Sequence, residues 1–441
     1  MVSLFAKAGP ASRPLAGRSY WQRHAGAPAP GVPPHMPAPS AATLPAKVDH
    51  AVVGGGLAGL SSALHLAEAE PGASIVLLEA NFLGFGASGR NAGLLAPLPA
   101  PVWLVTAAHN PEHAWAVKHL NTRVHGLANW LKAHAPGSDV APAVLRIEAQ
   151  GRLTSAGLAS VARILTFAGI DHTTGAGPTD QLHVDLPTHS VQPYRMALAL
   201  GEIARARGVA IHENTPVQAI EDSPDGVSLS LAGGRTLSAR SAIVCTNAYT
   251  SSLALPVKPR AKVVYNFMVA SGALDTARLA PKGDAQRFVV ELNTSYVFYR
   301  MHEKRVVYGG IERFSPYGEN DFAVPPDVLE KLEGLIQRSF PGAGVTPAEA
   351  WGGIYHQTAT DLPLLQHCGA RGSIILNVGY GGTGVALTQI CGRLAASMAL
   401  GRAPVNDDDR RLLAAITGTR LPIIGGARFV AGIARDLVLG R

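Results

Sequence analysis

A glycine-rich turn followed by an acidic residue is the feature of this sequence with the clearest chemical use. The apolar run 51–53 leads into Gly54-x-Gly56-x-x-Gly59, and a second apolar run ends at Glu79, 20 positions after Gly59. In a βαβ unit of this kind, the glycines let the backbone approach a pyrophosphate at a helix N-terminus. The carboxylate accepts hydrogen bonds from a ribose diol and disfavours a 2′-phosphate. The spacing therefore predicts a domain that binds FAD or NAD rather than NADP.

Two further segments are rich in small residues. Residues 84–94 (GFGASGRNAGL) are unsuited to an ordinary core element, so we interpret them as a loop whose backbone N–H groups line a ligand. A flexible loop is the alternative interpretation. Residues 379–384 form another glycine-rich turn that opens a helix, which is typical of a site for an anion or a dipole.

The elements that must position these segments follow from the apolar periodicity. Helices are predicted over 101–135, 191–208, with Pro193 in the first turn, and 326–338. Strands are predicted over 141–153, 209–222 (a pair), 226–249 (a hairpin, then a buried strand), 262–342 (an antiparallel sheet) and 373–379. The strand-rich stretch indicates that a second domain is inserted into an α/β protein.

The composition argues against several classes of protein. The chain has 441 residues, 47% hydrophobic and 16% charged, which suits a soluble two-domain protein, and no apolar run reaches the ~18 residues of a membrane-spanning helix. The net charge of +7 includes no Lys/Arg block, which favours a solvated basic surface over nucleic-acid binding. Three scattered cysteines without a CxxC pair indicate a reducing, cytoplasmic setting.

The histidines and the chain ends suggest no additional activity. His109, His113 and His119 are close in sequence, but a proline interrupts them and no HExxH follows, so we expect no metal site. Residues 1–47 are rich in Pro, Ala and Gly, and their apolar start is too short for a secretory signal, so we expect an extended arm. The segment 406–441 is expected to be a docked helical tail, with an interfacial helix as the alternative.

Five segments together resemble one family of flavoproteins. They are GGGLAGLSSALHLAE, LGFGASGRNAGLL, CTNAY, WGGIYHQT and YGGTGVALTQICGRLAA. In them the chain is similar to the FAD-dependent D-amino-acid oxidase superfamily, and within it to gamma-glutamylputrescine oxidoreductase-like amine oxidoreductases. SYWQRHA at 19–25 also resembles an N-terminal segment of that subfamily.

The resemblance implies a fold of two discontinuous domains. One is a Rossmann-like FAD-binding domain of the glutathione-reductase type, which we expect to comprise 48–100, 191–255 and 346–405. The other is an inserted antiparallel-sheet substrate domain, expected over 101–190 and 256–345.

The resemblance also implies which residues would hold FAD. The three glycines of the first turn would contact the pyrophosphate, Glu79 the adenosine ribose, and the backbone of Val217 the adenine. The helix after the second glycine-rich turn would aim its positive end at the flavin C2 carbonyl. The full expected set is Gly54, Gly56, Leu57, Ala58, Gly59, Glu79, Ala80, Gly86, Ala87, Ser88, Arg90, Asn91, Ala92, Gly93, Leu94, Val217, Thr246, Asn247, Gly353, Gly379, Gly381, Gly382, Thr383 and Gly384.

The sequence departs from the family pattern at three places. Relatives that tether FAD covalently use a Cys in the segment matching 352–354 or a His near Arg90; neither is present, so we expect non-covalent FAD. Glycine and D-amino-acid oxidases place an arginine for the substrate carboxylate near Tyr355. Sarcosine-oxidase relatives carry a lysine that assists oxygen near Val307, where this chain offers only the neighbouring Lys304 and Arg305. Oxidase and dehydrogenase activity therefore both stay open.

The activity expected from the resemblance is oxidation of a C–N bond. A neutral amine would lose hydride to flavin N5, and the imine would hydrolyse in water. His356, Tyr355, Tyr299 and Arg300 are the candidate catalytic residues. Among them, His356 is a candidate base near neutral pH and Arg300 a candidate partner for a substrate carboxylate.

Two alternatives to this activity stay open. The first is a dehydrogenase of D-amino acids or N-methyl amino acids that passes electrons to a quinone or carrier instead of oxygen. The second is a flavoprotein that keeps its cofactor as a non-catalytic subunit of a larger complex.

Overall fold

The computed structural model describes residues 17–27, 44–98, 101–107, 110–149, 152–176, 182–275, 279, 286–292, 297–315 and 323–419. The helices in these ranges are α1 (Tyr20–His24), α2 (Leu57–Ala69), α3 (Pro101–Thr106), α4 (Pro111–His134), α5 (Arg152–Phe167), α6 (Pro193–Ala206), α7 (Pro326–Ser339), α8 (Gly384–Ala399) and α9 (Asp407–Gly418). The strands are β1 (Lys47–Val53), β2 (Ile75–Leu78), β3 (Leu94–Leu95), β4 (Ala141–Ala149), β5 (Thr173–Ala176), β6 (Leu182–Ser190), β7 (Ala210–His212), β8 (Val217–Ser223), β9 (Gly226–Leu231), β10 (Thr236–Val244), β11 (Ala261–Ser271), β12 (Arg287–Leu292), β13 (Val297–His302), β14 (Arg305–Ser315), β15 (Pro347–Thr358), β16 (Leu364–Cys368) and β17 (Ile374–Val378).

The first sheet is mostly parallel and has the order β16-β17-β10-β1-β2-β7. Strands β17, β10, β1, β2 and β7 run in parallel, while β16 pairs antiparallel with β17. A meander of β8 and β9 is attached to β10. The fully buried runs of β2 and β17 are typical of parallel strands covered on both faces.

The second sheet is mainly antiparallel, with the order β15-β11-β14-β13-β12-β4-β6-β3 and β5 beside β6. One of its faces packs against α7 through a hydrophobic cluster that includes Tyr299, Tyr308, Ile354 and Leu332. We call this the α7 face. The opposite face, which carries Tyr355, is called the Tyr355 face.

Most predicted elements are confirmed, with the following differences. The two strands predicted as a pair over 209–222 are present as β7 and β8, but β7 pairs with β2 and β8 with β9. The predicted helix over 101–135 is two helices, because Asn110 caps the second: its side chain accepts a hydrogen bond from the Glu112 N–H at 3.0 Å, and Pro111 follows as first helical residue. The strand predicted over 141–153 ends at Ala149, and α5 begins at Arg152. In the stretch 226–249, β10 serves both as the second hairpin strand and as the buried strand beside β1.

The expectation of an extended N-terminal arm is wrong for residues 17–27. Ser19 and Gln22 form a capping box, each side chain accepting a hydrogen bond from the other residue's backbone N–H, so the segment turns into the short helix α1. Tyr20 and Trp21 on this helix are fully buried. The rest of the predicted arm before residue 44, and the tail beyond α9, lie outside the described residues.

The predicted boundary at residue 346 is also wrong. It assigns β15 to the domain of the first sheet, yet β15 pairs with β11 of the second sheet along its whole length. Such pairing between distant segments leaves no local signal in the sequence. We therefore propose that the second domain extends to about Thr358, where β15 ends.

Three further observations concern the described ranges as a whole. None of their helices is both long enough and apolar enough to cross a membrane. No group of three or more His, Cys, Asp or Glu side chains within them converges as metal ligands would. The thiols of Cys245, Cys368 and Cys391 are buried and reduced.

Candidate functional site

The predicted ligand-binding residues collect at one edge of the first sheet. Gly54, Glu79, Cys245 and Gly379 directly follow the carboxyl ends of β1, β2, β10 and β17, which are neighbouring parallel strands. In open α/β sheets, ligands bind in the crevice outside these carboxyl ends. The edge is therefore the candidate site.

The first glycine turn has a shape that only glycine allows. Gly54 has φ +109°, and a Cβ on it would lie 2.8 Å from the carbonyl oxygen of Cys245. A Cβ on Gly59 would lie 1.9 Å from the carbonyl oxygen of Gly54, so helix α2 can start close to β1 only without a side chain there. The turn delivers the N-terminus of α2 directly into the crevice.

The loop 84–94 lies against this helix N-terminus. The Leu57 N–H donates to Ser88 Oγ at 2.9 Å, and a Cβ on Gly56 would lie 2.8 Å from the same hydroxyl. Asn91 fixes the loop, since its amide donates to the carbonyls of Ala87 and Ser88 at 3.0 Å each. A helix N-terminus bordered by a hydroxyl and by a loop of small residues suits a pyrophosphate.

Glu79 has an environment that suits hydrogen-bond donors of a ligand. Its carboxylate accepts hydrogen bonds from the Gly55 N–H at 2.6 Å and the Asn81 N–H at 2.8 Å. Burial raises the pKa of Glu79 to about 7, and the nearby Glu213 acts in the same direction. A ribose diol donating to this group would favour its charged form.

A second helix N-terminus opens at the same side of the molecule. Residues Gly381–Thr383 form a short 3-10 turn that leads into α8, with Gly379 at φ +83°. Helix α8 packs tightly on α2, since a Cβ on Gly392 would lie 2.2 Å from Ser61 Oγ. Gln389 Nε2 in the second turn of α8 donates to the carbonyl of Leu57 at 3.5 Å, which places the two N-termini close together.

Asn247 joins this edge to the second sheet. Its side-chain Oδ1 accepts hydrogen bonds from the Gly379 N–H and from the His356 N–H, both at 3.2 Å. Its backbone has φ +45°, a left-handed conformation that asparagine tolerates better than most residues. Asn247 thus fixes the second glycine turn relative to β15.

Arg90 does not face the crevice as a ligand-binding cation would. Its buried guanidinium donates to the carbonyls of Phe85 at 2.8 Å, Gly352 at 3.2 Å and Gly17 at 2.5 Å. Burial lowers the pKa of Arg90 to about 10, which still leaves the guanidinium charged at neutral pH. The side chain therefore fastens the loop 84–94 to β15, and its contribution to ligand binding is through the shape of that loop.

The structure also corrects the candidate catalytic roles of Tyr299 and His356. Tyr299 lies on the α7 face, stacked on Tyr308 with ring centroids 5.7 Å apart. His356 pairs with Val263 and follows the alternation of Ile354, which puts it on the α7 face as well. This position, away from the Tyr355 face, argues against the expected role as a base, and burial also lowers the pKa of His356 to about 4.

Arg300 has a different role from the one expected. Its guanidinium donates to the carbonyls of Ala92 at 3.3 Å, Gly93 at 3.2 Å and Val191 at 3.1 Å. It is buried and also lies 5.5 Å from the ring of Trp21. All three bonds come from Nη1, so we interpret Arg300 as a support of the loop 84–94.

Tyr355 is the one candidate catalytic residue that faces the crevice. It shares its face of β15 with Trp351, Gly353 and Gln357. Two of these residues contact the loop 84–94: Trp351 Nε1 donates to the carbonyl of Arg90 at 2.9 Å, and a Cβ on Gly353 would lie 3.5 Å from Arg90 Cβ. Gln357 forms a β-bridge with Tyr380, which precedes the second glycine-rich helix start. Tyr355 therefore lies between the loop 84–94 and the second glycine turn.

The structure adds a residue that the sequence reasoning missed. Tyr355 Oη donates to Glu312 Oε1 on β14. If the side chains of β14 alternated regularly from Tyr308, Glu312 would lie on the α7 face. A β-bulge opposite Asn266 and Phe267 inserts one extra residue, Ile311, with φ +58°. The bulge therefore turns Glu312 to the Tyr355 face. The paired glycines 309–310 before Ile311 are the sequence signal of this bulge.

The lysine near the expected oxygen-assisting position lies elsewhere. Glu303 and Lys304 form the tight turn between β13 and β14, with φ +46° and +62°. Arg305 donates to the carbonyl of Ser271 at 3.0 Å, and Val307 is fully buried. Lys304 therefore lies in the hairpin turn, and Arg305 is bonded to the backbone at the end of β11.

These features define the class of the protein. The first sheet is mostly parallel and carries a GxGxxG turn, an acidic residue after β2 and a second helix N-terminus. A separate antiparallel sheet lies beside it. This combination fits a dinucleotide-binding flavoprotein. The chain belongs to the DAO family of FAD dependent oxidoreductases, which matches residues 49–398. It is an FAD-dependent oxidoreductase.

Known proteins of this kind resemble the chain over most of its length. It is 26% identical over 403 residues to the "Probable oxidoreductase OrdL" of Rhizobium meliloti (strain 1021), covering 87% of this chain and 89% of that one. It is 27% identical over 379 residues to the "Gamma-glutamylputrescine oxidoreductase" of Escherichia coli (strain K12), covering 80% and 84%. The crystal structure of glycine oxidase from Geobacillus kaustophilus matches with a TM-score of 0.69 and 20% identity, covering 82% and 97%.

Proposed function

We propose that this protein oxidises a C–N bond of an amine or amino-acid-like substrate. The names of a relative and of a similar structure, a gamma-glutamylputrescine oxidoreductase and a glycine oxidase, support a compound of this class. Bound FAD would supply the electron sink, taking hydride from the carbon next to nitrogen so that the resulting imine hydrolyses in water.

The residues at the sheet edge would hold FAD in the following way. The N-terminus of α2 and the Ser88 hydroxyl would bind the pyrophosphate, and Glu79 the adenosine ribose. The backbone at Val217 would meet the adenine. The N-terminus of α8 would lie beside the flavin ring, where its partial positive charge stabilises negative charge on the reduced cofactor.

The position of Tyr355 is the observation that carries the proposal. It stands on the second sheet between the loop 84–94 and the second glycine turn, the two segments proposed to border the cofactor. A substrate bound against the Tyr355 face would therefore lie between this sheet and the flavin. The exposed Glu312 and the partly buried Asn266 are further polar side chains of that face.

The test is an anaerobic absorption spectrum of the purified protein, titrated with a panel of amines and amino acids. Absorption bands at about 450 nm that bleach with one class of amine would support the proposal and identify that class. A yellow protein that no amine bleaches would contradict it and favour the non-catalytic flavoprotein. A colourless protein that takes up no FAD would contradict the cofactor assignment.

A second candidate is a dehydrogenase of D-amino acids or N-methyl amino acids that passes electrons to a quinone or carrier. It is favoured by the observation that Val307 stands buried where oxidase relatives carry a lysine, while Lys304 lies in a hairpin turn. Air admitted to the bleached protein separates the two. Recovery of the oxidised bands within seconds indicates an oxidase, and slow recovery with fast reduction of an added dye indicates a dehydrogenase.

A further inference from the structure

We propose that Glu312, oriented by Tyr355, binds an ammonium group of the substrate that is remote from the oxidised C–N bond. The substrate is then an amine with a second positive charge, such as a diamine, and not a simple α-amino acid held by its carboxylate. This inference rests on the proposed function and identifies its substrate class.

Glu312 lies on the Tyr355 face because of the bulge in β14. The bulge at Ile311 turns its side chain to the Tyr355 face, where Glu312 pairs across the sheet with Asn266. Asn266 in turn pairs with Gly353, whose missing side chain leaves space beside Arg90. A local distortion of β14 therefore puts an acidic side chain on this face, and Asn266 on β11 separates it from the position without side-chain atoms on β15.

The carboxylate of Glu312 has one hydrogen-bonded oxygen and one open oxygen within the described ranges. Tyr355 Oη donates to Glu312 Oε1 and thereby fixes the carboxylate. Within the described ranges, no cation or other donor pairs with Oε2. An exposed carboxylate oxygen held at one edge of a substrate site is a partner for a ligand ammonium, since hydrogen bonds between ionised groups are stronger than neutral ones.

Three arginines around the second sheet are engaged by other partners than Glu312. Arg90 and Arg300 donate to backbone carbonyls, and Arg313 on the α7 face pairs with Asp327. Lys262 shares the Tyr355 face, but it lies four residues along β11 from Asn266, about 13 Å at the usual rise of a strand. These three arginines are thus engaged by carbonyls or by a carboxylate, and Glu312 adds a negative charge to the Tyr355 face that suits a cationic ligand.

The experiment measures binding without catalysis. The ligand is a diamine whose two α-carbons are fully methylated, so that it has no hydride to lose, and the comparison is its monoamine counterpart. Calorimetry on the FAD-loaded protein should show that the diamine binds at least tenfold more tightly. Glu312→Gln should reduce this preference by roughly 10- to 100-fold, because a hydrogen bond to a charged partner is lost.

Two more variants make the result specific. Tyr355→Phe should reduce the preference by a smaller factor, since it removes the group that orients the carboxylate but keeps the charge. Glu333→Gln makes the same change of charge at an exposed position of α7 on the far side of the sheet and should leave the preference unchanged. An equal effect of Glu333→Gln would attribute the preference to net charge and overturn the proposal.

A general-base role of Glu312 gives a different pattern. In that case Glu312→Gln would slow flavin reduction by every oxidisable amine while the diamine preference stayed intact, which would overturn the proposal. Equal binding of diamine and monoamine by the wild type would also overturn it. Neither result touches the proposed function, which fails separately if no amine reduces the flavin.

Discussion

Glu79 is the residue whose chemistry gives the sharpest prediction about FAD. Burial raises the pKa of Glu79 to about 7, because the folded protein disfavours the charged carboxylate. Without FAD, this group therefore lowers the stability of the folded state as the pH rises through about 7. A ribose diol that donates to the carboxylate favours the charged form and lowers this pKa. Binding therefore releases a proton, and FAD affinity should rise by up to about tenfold per pH unit below pH 7 and level off above it. Fluorescence titration of the apoprotein with FAD measures this slope.

Glu79→Gln supplies the control for this pH dependence. The amide cannot ionise, so the slope should disappear and FAD binding above pH 7 should weaken by roughly 10-fold or more. Glu202→Gln, an exposed carboxyl on α6, should keep the wild-type slope. A slope that persists in Glu79→Gln would show that another group releases the proton.

The mode of FAD attachment also depends on single residues and gives a second prediction. The segment 352–354 contains no cysteine, and Arg90 stands where covalent relatives have a histidine, with its guanidinium bonded to carbonyls. We therefore expect acid precipitation of the holoprotein to release all flavin into the supernatant, as measured by absorbance. Yellow colour that stays with the washed pellet would contradict non-covalent binding.

The roles of single residues could be predicted from the sequence only where they depend on local spacing. The turn at Gly54 and the acidic residue at Glu79 are fixed by a continuous βαβ segment, so their placement at one edge follows from the chain itself. Tyr299, His356 and Arg300 depend on which face of a strand is covered, and α7 and the loop 84–94 decide that. Glu312 depends on a bulge, which reverses the alternation of β14.

At the scale of elements, the short helix α1 clamps the loop 84–94. Gln22 Nε2 donates to the carbonyls of Gly84 at 2.9 Å and Phe85 at 3.0 Å, and Ser19 Oγ donates to the carbonyl of Gly89 at 2.5 Å. On the other side of α1, Arg23 pairs with Glu349 on β15 at 2.5 Å. The N-terminal segment thus holds the loop that we propose to run along the cofactor.

Gln22→Ala tests this clamp. It leaves the carbonyl of Gly84 without its side-chain donor, while the carbonyl of Phe85 keeps the Arg90 donor, so the free energy of unfolding should fall by about 1–3 kcal/mol and flavin should be lost faster during dialysis. Gln337→Ala on α7 is the matched control, because Gln337 Nε2 likewise donates to a carbonyl, that of Val345, at 2.8 Å. The control should lose stability but retain its flavin. Equal flavin loss in both variants would show that only general stability matters.

Elements themselves were predictable from periodicity, but their partners were not. Helix α7 and strand β17 were expected within a residue or two because each carries its apolar pattern locally. The assignment of β15 to the second sheet depends on pairing with β11, about 90 residues earlier in the chain. The docking of α1 depends likewise on burial of Tyr20 and Trp21 by distant segments.

At the scale of the whole molecule, the two sheets meet around the proposed cofactor site. The loop 84–94 is fastened to β15 through Arg90 and Trp351, and the second glycine turn is fastened to β15 through Asn247. The cofactor would therefore contact segments whose positions both domains determine. Binding of FAD should stabilise the two domains as one unit.

Asn247 allows this coupling to be tested. Asn247→Gly keeps the left-handed backbone accessible but removes the side-chain oxygen that accepts from the Gly379 and His356 N–H groups. The free energy of unfolding should therefore fall by about 1–3 kcal/mol, and FAD should bind more weakly. Asn247→Asp keeps an acceptor at the same place and should retain most of both properties. Urea denaturation of the holoprotein, followed by flavin fluorescence and by circular dichroism, measures the effect: the two transitions should coincide in the wild type and separate in Asn247→Gly. Coincident, unshifted transitions in Asn247→Gly would show that the sheets are coupled without Asn247.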